Sequence, residues 1–332
     1  MRILIAYDGS ACAEAAIDDL VRSGLPEKGE AEVIAVAEVW LPPPDASGAG
    51  VEDEDESLAY VDEITERYRQ NGERVLSEAE MFARHARLRV QTALPGWDVA
   101  STATYGSPAW EILNRADTFK ADLIVVGSHG QSALSRFILG SISQKVLTEA
   151  RYSVRIARGR IEVEPAPQRI VIGYDASGGA KSAVEAVASR VWPAGTEVRL
   201  ITVSDPVTPS AIGRFVPPIR HLVDEINVAE NHSLKRRAGN AIEMIEKAGL
   251  KTELRIYPGN PKNILVEEAE NWSADSIFVG ANAWGSNFER FLIGSTSAAV
   301  AARAQCSVEV VRTQPATLTS FERTDRSNGV RT

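Results

Sequence analysis

Two short segments in the first half of this 332-residue chain combine glycine with hydroxyl and imidazole side chains. Gly127-Ser128-His129-Gly130 follows an apolar run, and Gly140-Ser141 comes after nine further residues. Glycine adopts positive φ angles and lets the backbone approach a ligand closely. A helix beginning near Ser141 would offer free amides to an anion, and the Ser141 hydroxyl can cap that helix or donate to phosphate. With Asp8 at the end of the first apolar run, this spacing predicts a nucleotide site.

The other chemically versatile side chains do not form a recognisable catalytic or metal-binding pattern. The four histidines and two cysteines lack His-Glu-x-x-His or Cys-x-x-Cys spacing, and there is no Gly-x-Ser-x-Gly nucleophile motif. We therefore predict no catalytic residue and no metal ligand, and we expect His129 to be a loop donor rather than a base. Met81, Phe82 and Trp110 are expected in the hydrophobic core.

Composition narrows the classes of partner. The net charge is −9, from 36 basic and 45 acidic residues, and no basic stripe is visible, so a nucleic-acid partner is not expected. No apolar run reaches the ~18 residues of a membrane helix, and the first residues lack the pattern of a signal peptide. Two cysteines placed far apart fit a reducing compartment. These features predict a cytoplasmic protein without membrane contact.

The chain contains a tandem duplication. The segment 121–127 recurs at 274–280 with five of seven residues identical, and 135–143 recurs at 289–297. Gly-x-Pro recurs at 106–108 and 259–261, and the end of the first half, 153–156, resembles 307–310.

Each half alternates short apolar runs with longer helical patterns. Residues 3–7, 33–39, 99–105, 123–126 and 154–157 are predicted strands, and 11–21, 58–88, 108–119 and 141–150 are predicted helices. This alternation predicts an α/β fold with parallel strands. The predicted domains are 1–158 and 168–312, with a disordered tail at 313–332 and an acidic loop or lid at 42–57.

The strand ending in Asp8, the Gly-x-Pro before a helix and the Gly-x-x-Gly-x9-Gly-Ser loop resemble the universal stress protein family in tandem form. The resemblance implies two Rossmann-like (HUP-type) domains, each with a five-stranded, mostly parallel sheet. It also implies ATP, with Mg²⁺ on its phosphates, bound in the first half. The resemblance further implies that the halves pack as an intramolecular pseudo-dimer through the closing strands at 154–157 and 308–311. A further dimer of tandem chains stays open. The residues that the resemblance assigns to the nucleotide are Asp8 and Glu38 on the adenine and ribose side, and Gly127, Ser128, His129, Gly130, Gly140, Ser141, Ile142 and Ser143 around the ribose and triphosphate.

The second half departs from this pattern, because Ala283 or Trp284 replaces a loop glycine. A side chain forced to positive φ costs on the order of 1 kcal/mol or more, so we predict one competent site and one degenerate site. The leading hypothesis is an ATP-binding stress or regulatory protein with an unidentified protein partner. A slow ATP-hydrolysing or adenylyl-transferring enzyme and an interaction module that binds no nucleotide remain as alternatives.

Overall fold

A computed structural model of the protein describes residues 1–39, 56–129, 139–158, 166–205, 217–281 and 293–313. Gly130, Ala283 and Trp284 lie outside these residues, as do most of the predicted acidic lid and of the predicted tail. All the other residues predicted for the nucleotide lie within them.

The first half alternates strands and helices in the predicted order. Its strands begin and end within three residues of the predicted limits. The second helix begins two residues before the predicted start and continues to residue 93, five residues beyond the predicted end. In chain order the elements are β1 (Arg2–Ala6), α1 (Ala11–Asp19) with a 3₁₀ turn (Leu20–Arg22), β2 (Glu30–Ala37), α2 (Glu56–Ala93), β3 (Asp98–Tyr105), α3 (Pro108–Phe119), β4 (Leu123–Gly127), α4 (Ser141–Glu149) and β5 (Ser153–Ala157).

The second half repeats this order. Helix α5 starts after Ser177 as α1 starts after Ser10, and in both cases the serine hydroxyl accepts a hydrogen bond from the third residue along, which caps the helix. The elements are β6 (Arg169–Gly173), α5 (Gly178–Ala188), β7 (Glu197–Ser204), α6 (Pro217–Lys247), β8 (Lys251–Pro258), α7 (Pro261–Asn271), β9 (Ser276–Gly280), α8 (Ser295–Arg303) and β10 (Ser307–Val311).

All described strands form one ten-stranded sheet with the order β3-β2-β1-β4-β5-β10-β9-β6-β7-β8. Pairing within each half is parallel, and the halves join where β5 and β10 pair antiparallel, with Arg155 opposite Glu309. The last strands of the two halves therefore meet, as the family resemblance implied. In the first half, the strand order reverses between β1 and β4, and this is where ligands bind in open parallel sheets.

Helices cover both faces of the sheet. On one face α3, α4, α7 and α8 bury a single apolar cluster that runs across both halves and includes Leu4, Ile124, Val154 and Val308. On the other face each half has its own cluster, under α1 and α2 or under α5 and α6. Strands buried on both sides are apolar at nearly every position, which is why the strand segments were readable from sequence.

The expectation that Met81, Phe82 and Trp110 lie in the core is wrong. Their exposed fractions are 57%, 38% and 56%. Met81 and Phe82 are on α2, whose buried positions near them are Ala79, Ala83 and Ala86. Around these two positions α2 packs on the sheet through alanines, so the Met81 and Phe82 side chains point outward or toward a cleft at the end of the sheet. Trp110 is on α3, whose buried face consists of Ala109, Ile112 and Ala116.

Candidate functional site

A cleft of about 390 Å³ opens at the carboxyl ends of β1, β2 and β4. It lies at the reversal of strand order, and α2, α3 and α4 close its sides. The fold therefore places it where the loop and strand-end motifs come together. The residues that line it are Ala6, Tyr7, Asp8, Ala13, Ile34, Ala35, Val36, Ala37, Glu38, Val75, Glu78, Ala79, Phe82, Pro108, Ile112, Val126, Gly127, His129, Ile142 and Ser143.

Most of the cleft wall is apolar. The end of β2 gives a run of small and branched side chains between Ile34 and Ala37, and Val75 and Ala79 face it from α2. Phe82 lies at the rim, with its ring edge-on to Tyr7 at a centroid distance of 6.4 Å. A slot with these walls can enclose a flat heterocycle. Sequence reasoning missed Val75, Glu78 and Phe82, since α2 is remote in sequence from the glycine loop.

Three carboxylates, those of Asp8, Glu38 and Glu78, belong to residues that line the cleft. The Asp8 Oδ1 atom accepts a hydrogen bond from the Ser10 backbone N–H at 3.0 Å, which fixes the turn between β1 and α1. Carboxylate oxygens can accept hydrogen bonds from ribose hydroxyls or an adenine amino group, whereas they repel phosphate. The phosphates of a nucleotide would therefore have to lie away from these carboxylates, toward the end of β4 and the start of α4.

Gly127 is the last residue of β4 and lines the cleft. A Cβ atom built on it would be 2.8 Å from the carbonyl oxygen of Cys12 at the start of α1. Gly127 does not have positive φ, so that reason for a glycine at this position is wrong. Gly127 is required by close packing of α1 on β4, which also leaves the strand end bare toward the cleft.

The N-terminus of α4 borders the same end. Gly140 is the N-cap residue, with φ −62° and ψ 152°, and within the described part of the chain no side chain caps this helix. Ser141, for which capping and donation to phosphate were both open, does not cap the helix and is its exposed first residue. The Ser143 hydroxyl donates to the Gly127 carbonyl at 2.7 Å and ties the first turn to β4. Uncapped amides and the positive helix end are thus available to an anion.

Ser128 and His129 connect β4 to the loop. Both are buried, the Ser128 carbonyl accepts a hydrogen bond from the Gly140 N–H at 2.8 Å, and the Ser128 Oγ lies 3.0 Å from the His129 Nδ1. Burial, together with the positive charge of Arg158, lowers the pKa of His129. His129 is therefore neutral at pH 7, and its Nε2 has no hydrogen-bond partner among the residues the structure describes.

The structure thus brings together six of the residues predicted for the nucleotide. Ser128 and Gly140 are hydrogen-bonded to each other, Ser141 is at the surface, and Gly130 lies outside the described residues. The six that line the cleft are Asp8, Glu38, Gly127, His129, Ile142 and Ser143.

The corresponding part of the second half is packed differently. A Cβ atom at Gly280, the counterpart of Gly127, would lie only 2.0 Å from a backbone carbon of Gly179, so α5 sits closer to β9 than α1 does to β4. A cavity of about 240 Å³ in this half is lined by Ser204, Asn227, Glu230, Asn231, Ile256 and Pro258, a set that includes neither Asp175 nor Gly280.

Two kinds of feature are absent from the described part of the chain. No group of three or more His, Cys, Asp or Glu side chains is placed there to hold a metal ion. No described helix combines the length and the apolar character needed to cross a membrane.

Comparison with known proteins identifies relatives over nearly the whole chain. The sequence model of the "Universal stress protein family" matches residues 1–158 and 167–312. Universal stress protein YxiE of Bacillus subtilis is 30% identical over 158 residues, which are 47% of this chain and 98% of that protein. A universal stress protein from Archaeoglobus fulgidus has a similar solved structure, with a TM-score of 0.56 and 21% identity over 94% of this chain and 96% of its own. A solved family member from Arabidopsis thaliana, described with AMP bound, covers 48% of this chain and 99% of its own at 16% identity with a TM-score of 0.32.

Proposed function

Because this chain belongs to the universal stress protein family, we propose that its first half binds ATP in the cleft between β1, β2 and β4. Binding would favour one conformation of the chain, which contacts a protein partner differently from the free form. The observation that carries the proposal is a single cleft with an apolar slot at one end and an uncapped helix N-terminus at the other.

The phosphate end is supported by the backbone. Gly127 leaves the end of β4 without a side chain, and Gly140 begins α4 without a side-chain cap. Backbone amides at such a helix start bind phosphate without a buried cation. Because the described residues of the cleft wall include no lysine or arginine, a divalent ion would arrive with the nucleotide and screen the phosphates.

The nucleoside end is supported by the β2 wall and the carboxylates. The segment from Ile34 to Ala37 and the α2 residues Val75 and Ala79 form the slot for adenine. Asp8 follows β1, which lies between β2 and β4 in the sheet, and it lines the cleft. Its carboxylate would accept hydrogen bonds from the ribose hydroxyls, as the family resemblance implies.

The repeat provides a matched pair of variants to test the proposal. Asp8 and Asp175 occupy equivalent turns, and each accepts a backbone hydrogen bond, from Ser10 at 3.0 Å and from Ser177 at 2.9 Å. Asp8→Ala and Asp175→Ala therefore remove the same local interaction. In calorimetric titration with Mg-ATP we expect about one site per chain, with affinity reduced roughly tenfold or more by Asp8→Ala because a charged hydrogen bond to the ligand is lost. Asp175→Ala should bind as the wild type does.

Equal losses in the two variants would place the nucleotide elsewhere or in both halves. Absence of any saturable ATP binding would refute the proposal outright. A chromatographic assay of the same titrated samples for ADP and AMP separates simple binding from the enzymatic alternative. Nucleotide released from freshly purified, heat-denatured protein would identify the form bound in the cell.

A further inference from the structure

Arg312, just after β10 in the second half, reaches into the first half. Its Nη2 donates to the Leu147 carbonyl at 2.6 Å and its Nη1 to the Tyr152 carbonyl at 3.1 Å. Leu147 is in the last turn of α4, where carbonyl groups have no donor within the helix. The arginine of one half therefore caps the C-terminus of the helix whose N-terminus borders the cleft of the other half.

The mirror-image contact is also present. Arg158, just after β5, donates through Nη2 to the Ala301 carbonyl at 2.7 Å and through Nη1 to the Cys306 carbonyl at 3.5 Å. Ala301 is in the last turn of α8, the second-half counterpart of α4. The two halves thus exchange arginines across the β5–β10 junction, each capping a helix of the other.

The Arg312 contact is electrostatically unusual. The side chain is 4% exposed, and burial lowers its pKa to about 10. Within the described part of the chain it has no ion pair with a carboxylate, so its charge faces the helix carbonyls. A cation at a helix C-terminus is favoured by the negative end of the helix dipole. Burying a charged arginine costs free energy. Its presence here therefore indicates that a fixed position of the α4 C-terminus has a purpose.

Helix α4 is held at its two ends by different halves of the chain. Ser143 in its first turn is bonded to Gly127 of β4, and Leu147, one turn later, is bonded to Arg312. The helix has only nine residues, about 13 Å at 1.5 Å per residue. Over so short a length, release of the C-terminal end would let the first turn tilt away from the cleft.

We propose that Arg312 is a positioning residue for the phosphate end of the cleft, supplied by the second half of the chain to the first. The inference rests on the proposed function. It gives the half without a predicted competent site a role as a built-in partner of the nucleotide-binding half. By linkage, a phosphate bound at the start of α4 would in turn strengthen the junction between the halves.

The test compares Arg312→Met with the mirror-image control Arg158→Met in the full-length chain. Affinities for Mg-ATP and for adenosine are measured by calorimetry at pH 8, where His129 is neutral with or without the Arg158 charge. We expect Arg312→Met to weaken ATP about threefold to tenfold, the range of a charge–helix interaction, and to leave adenosine affinity unchanged. Arg158→Met also removes the positive charge that acts on His129, so the control for affinity is Arg158→Lys, which keeps this charge and should leave both affinities unchanged. All three variants should unfold at lower temperature than the wild type.

Hydrogen exchange of the helix amides gives a second readout that does not depend on the ligand. Arg312→Met should speed exchange in α4 alone, and Arg158→Met in α8 alone. If Arg312→Met does not fold, Arg312→Lys, which keeps the charge but loses the two-pronged donor, should show the same pattern more weakly.

The possible outcomes are distinct. Unchanged ATP affinity in Arg312→Met, or an equal loss of ATP and adenosine, would overturn the positioning role. Wild-type protein that binds neither ligand would overturn the proposed function itself, and the role of Arg312 toward the nucleotide with it. The hydrogen-exchange rates would then show only whether each arginine stabilises the C-terminal end of the helix that it caps.

Discussion

At the scale of single residues, His129 lies in a buried environment that the sequence did not predict. It was expected to be a loop donor, and it is buried between the end of β4 and the cleft, beside Ser128 and the charge of Arg158. Burial disfavours its protonated form, which is why its pKa is lowered. The imidazole can therefore present a neutral nitrogen to a ligand at pH 7.

This environment predicts a pH dependence of stability. In the unfolded chain His129 takes up a proton near pH 6.5, whereas in the folded chain it does so only at lower pH. The free energy of unfolding therefore falls as the pH is lowered from 7 to 5. His129→Gln should reduce this loss when urea unfolding is compared at the two pH values. The exposed His232 provides the control, since His232→Gln should keep the wild-type slope. If the free energy of unfolding fell by the same amount between the two pH values in the wild type and both variants, His129 would not be shielded from water.

At the scale of elements, the contact between α1 and β4 sets the shape of the cleft floor. The space between the Gly127 Cα and the Cys12 carbonyl is too small for a methyl group, with 2.8 Å available to a Cβ atom. Backbone cannot move aside as a flexible side chain can. The sequence repeat marks this position in both halves, at Gly127 and Gly280, but does not reveal what it touches.

Gly127→Ala should therefore push α1 away from β4 and destabilise the protein by about 1–3 kcal/mol, the usual cost of overpacking. The matched control is Gly239→Ala on α6, where nothing lies within 4 Å of the added Cβ. This control should gain about 0.5–1 kcal/mol, since alanine favours a helix. Urea denaturation of the two variants measures the difference. If Gly127→Ala were as stable as Gly239→Ala, α1 and β4 could not be packed this closely.

At the scale of the whole molecule, buried charges join the two halves. Arg155 is 1% exposed, and its Nε and Nη2 donate to the Asp19 carboxylate at 2.5 and 3.2 Å. It faces Glu309, its equivalent in the repeat, which also pairs with Arg190. Equivalent positions face each other at the junction, so identical residues there would place like charges together in the core.

Arg155→Met should leave the Asp19 carboxylate buried with no cation among the described residues. We expect a loss of about 3–5 kcal/mol, as for other broken buried ion pairs. Arg74→Met removes an exposed pair with Glu78 and should change stability by less than about 1 kcal/mol. Thermal unfolding of both variants tests this, and a small effect of Arg155→Met would show that water reaches the junction.

Much of the fold could be predicted from the sequence. Apolar strand segments such as 123–126 and helix starts such as Pro108 are signals local to the chain. Because the sequence repeats, the same order of elements could be predicted for the second half. The glycine loop and Asp8 were also readable, because residues at strand ends meet at one edge of a parallel sheet. These predictions depend only on local pattern and on the order of elements.

The tertiary structure alone decided the contacts between segments far apart in the chain. Phe82 and Glu78 line the cleft because α2 packs through alanines, and Arg312 reaches α4 because β5 and β10 run antiparallel. No periodicity records which helix a given arginine will cap or how closely two backbones approach. Such contacts depend on the distances between elements, and those are fixed only when the whole sheet and its helices are packed together.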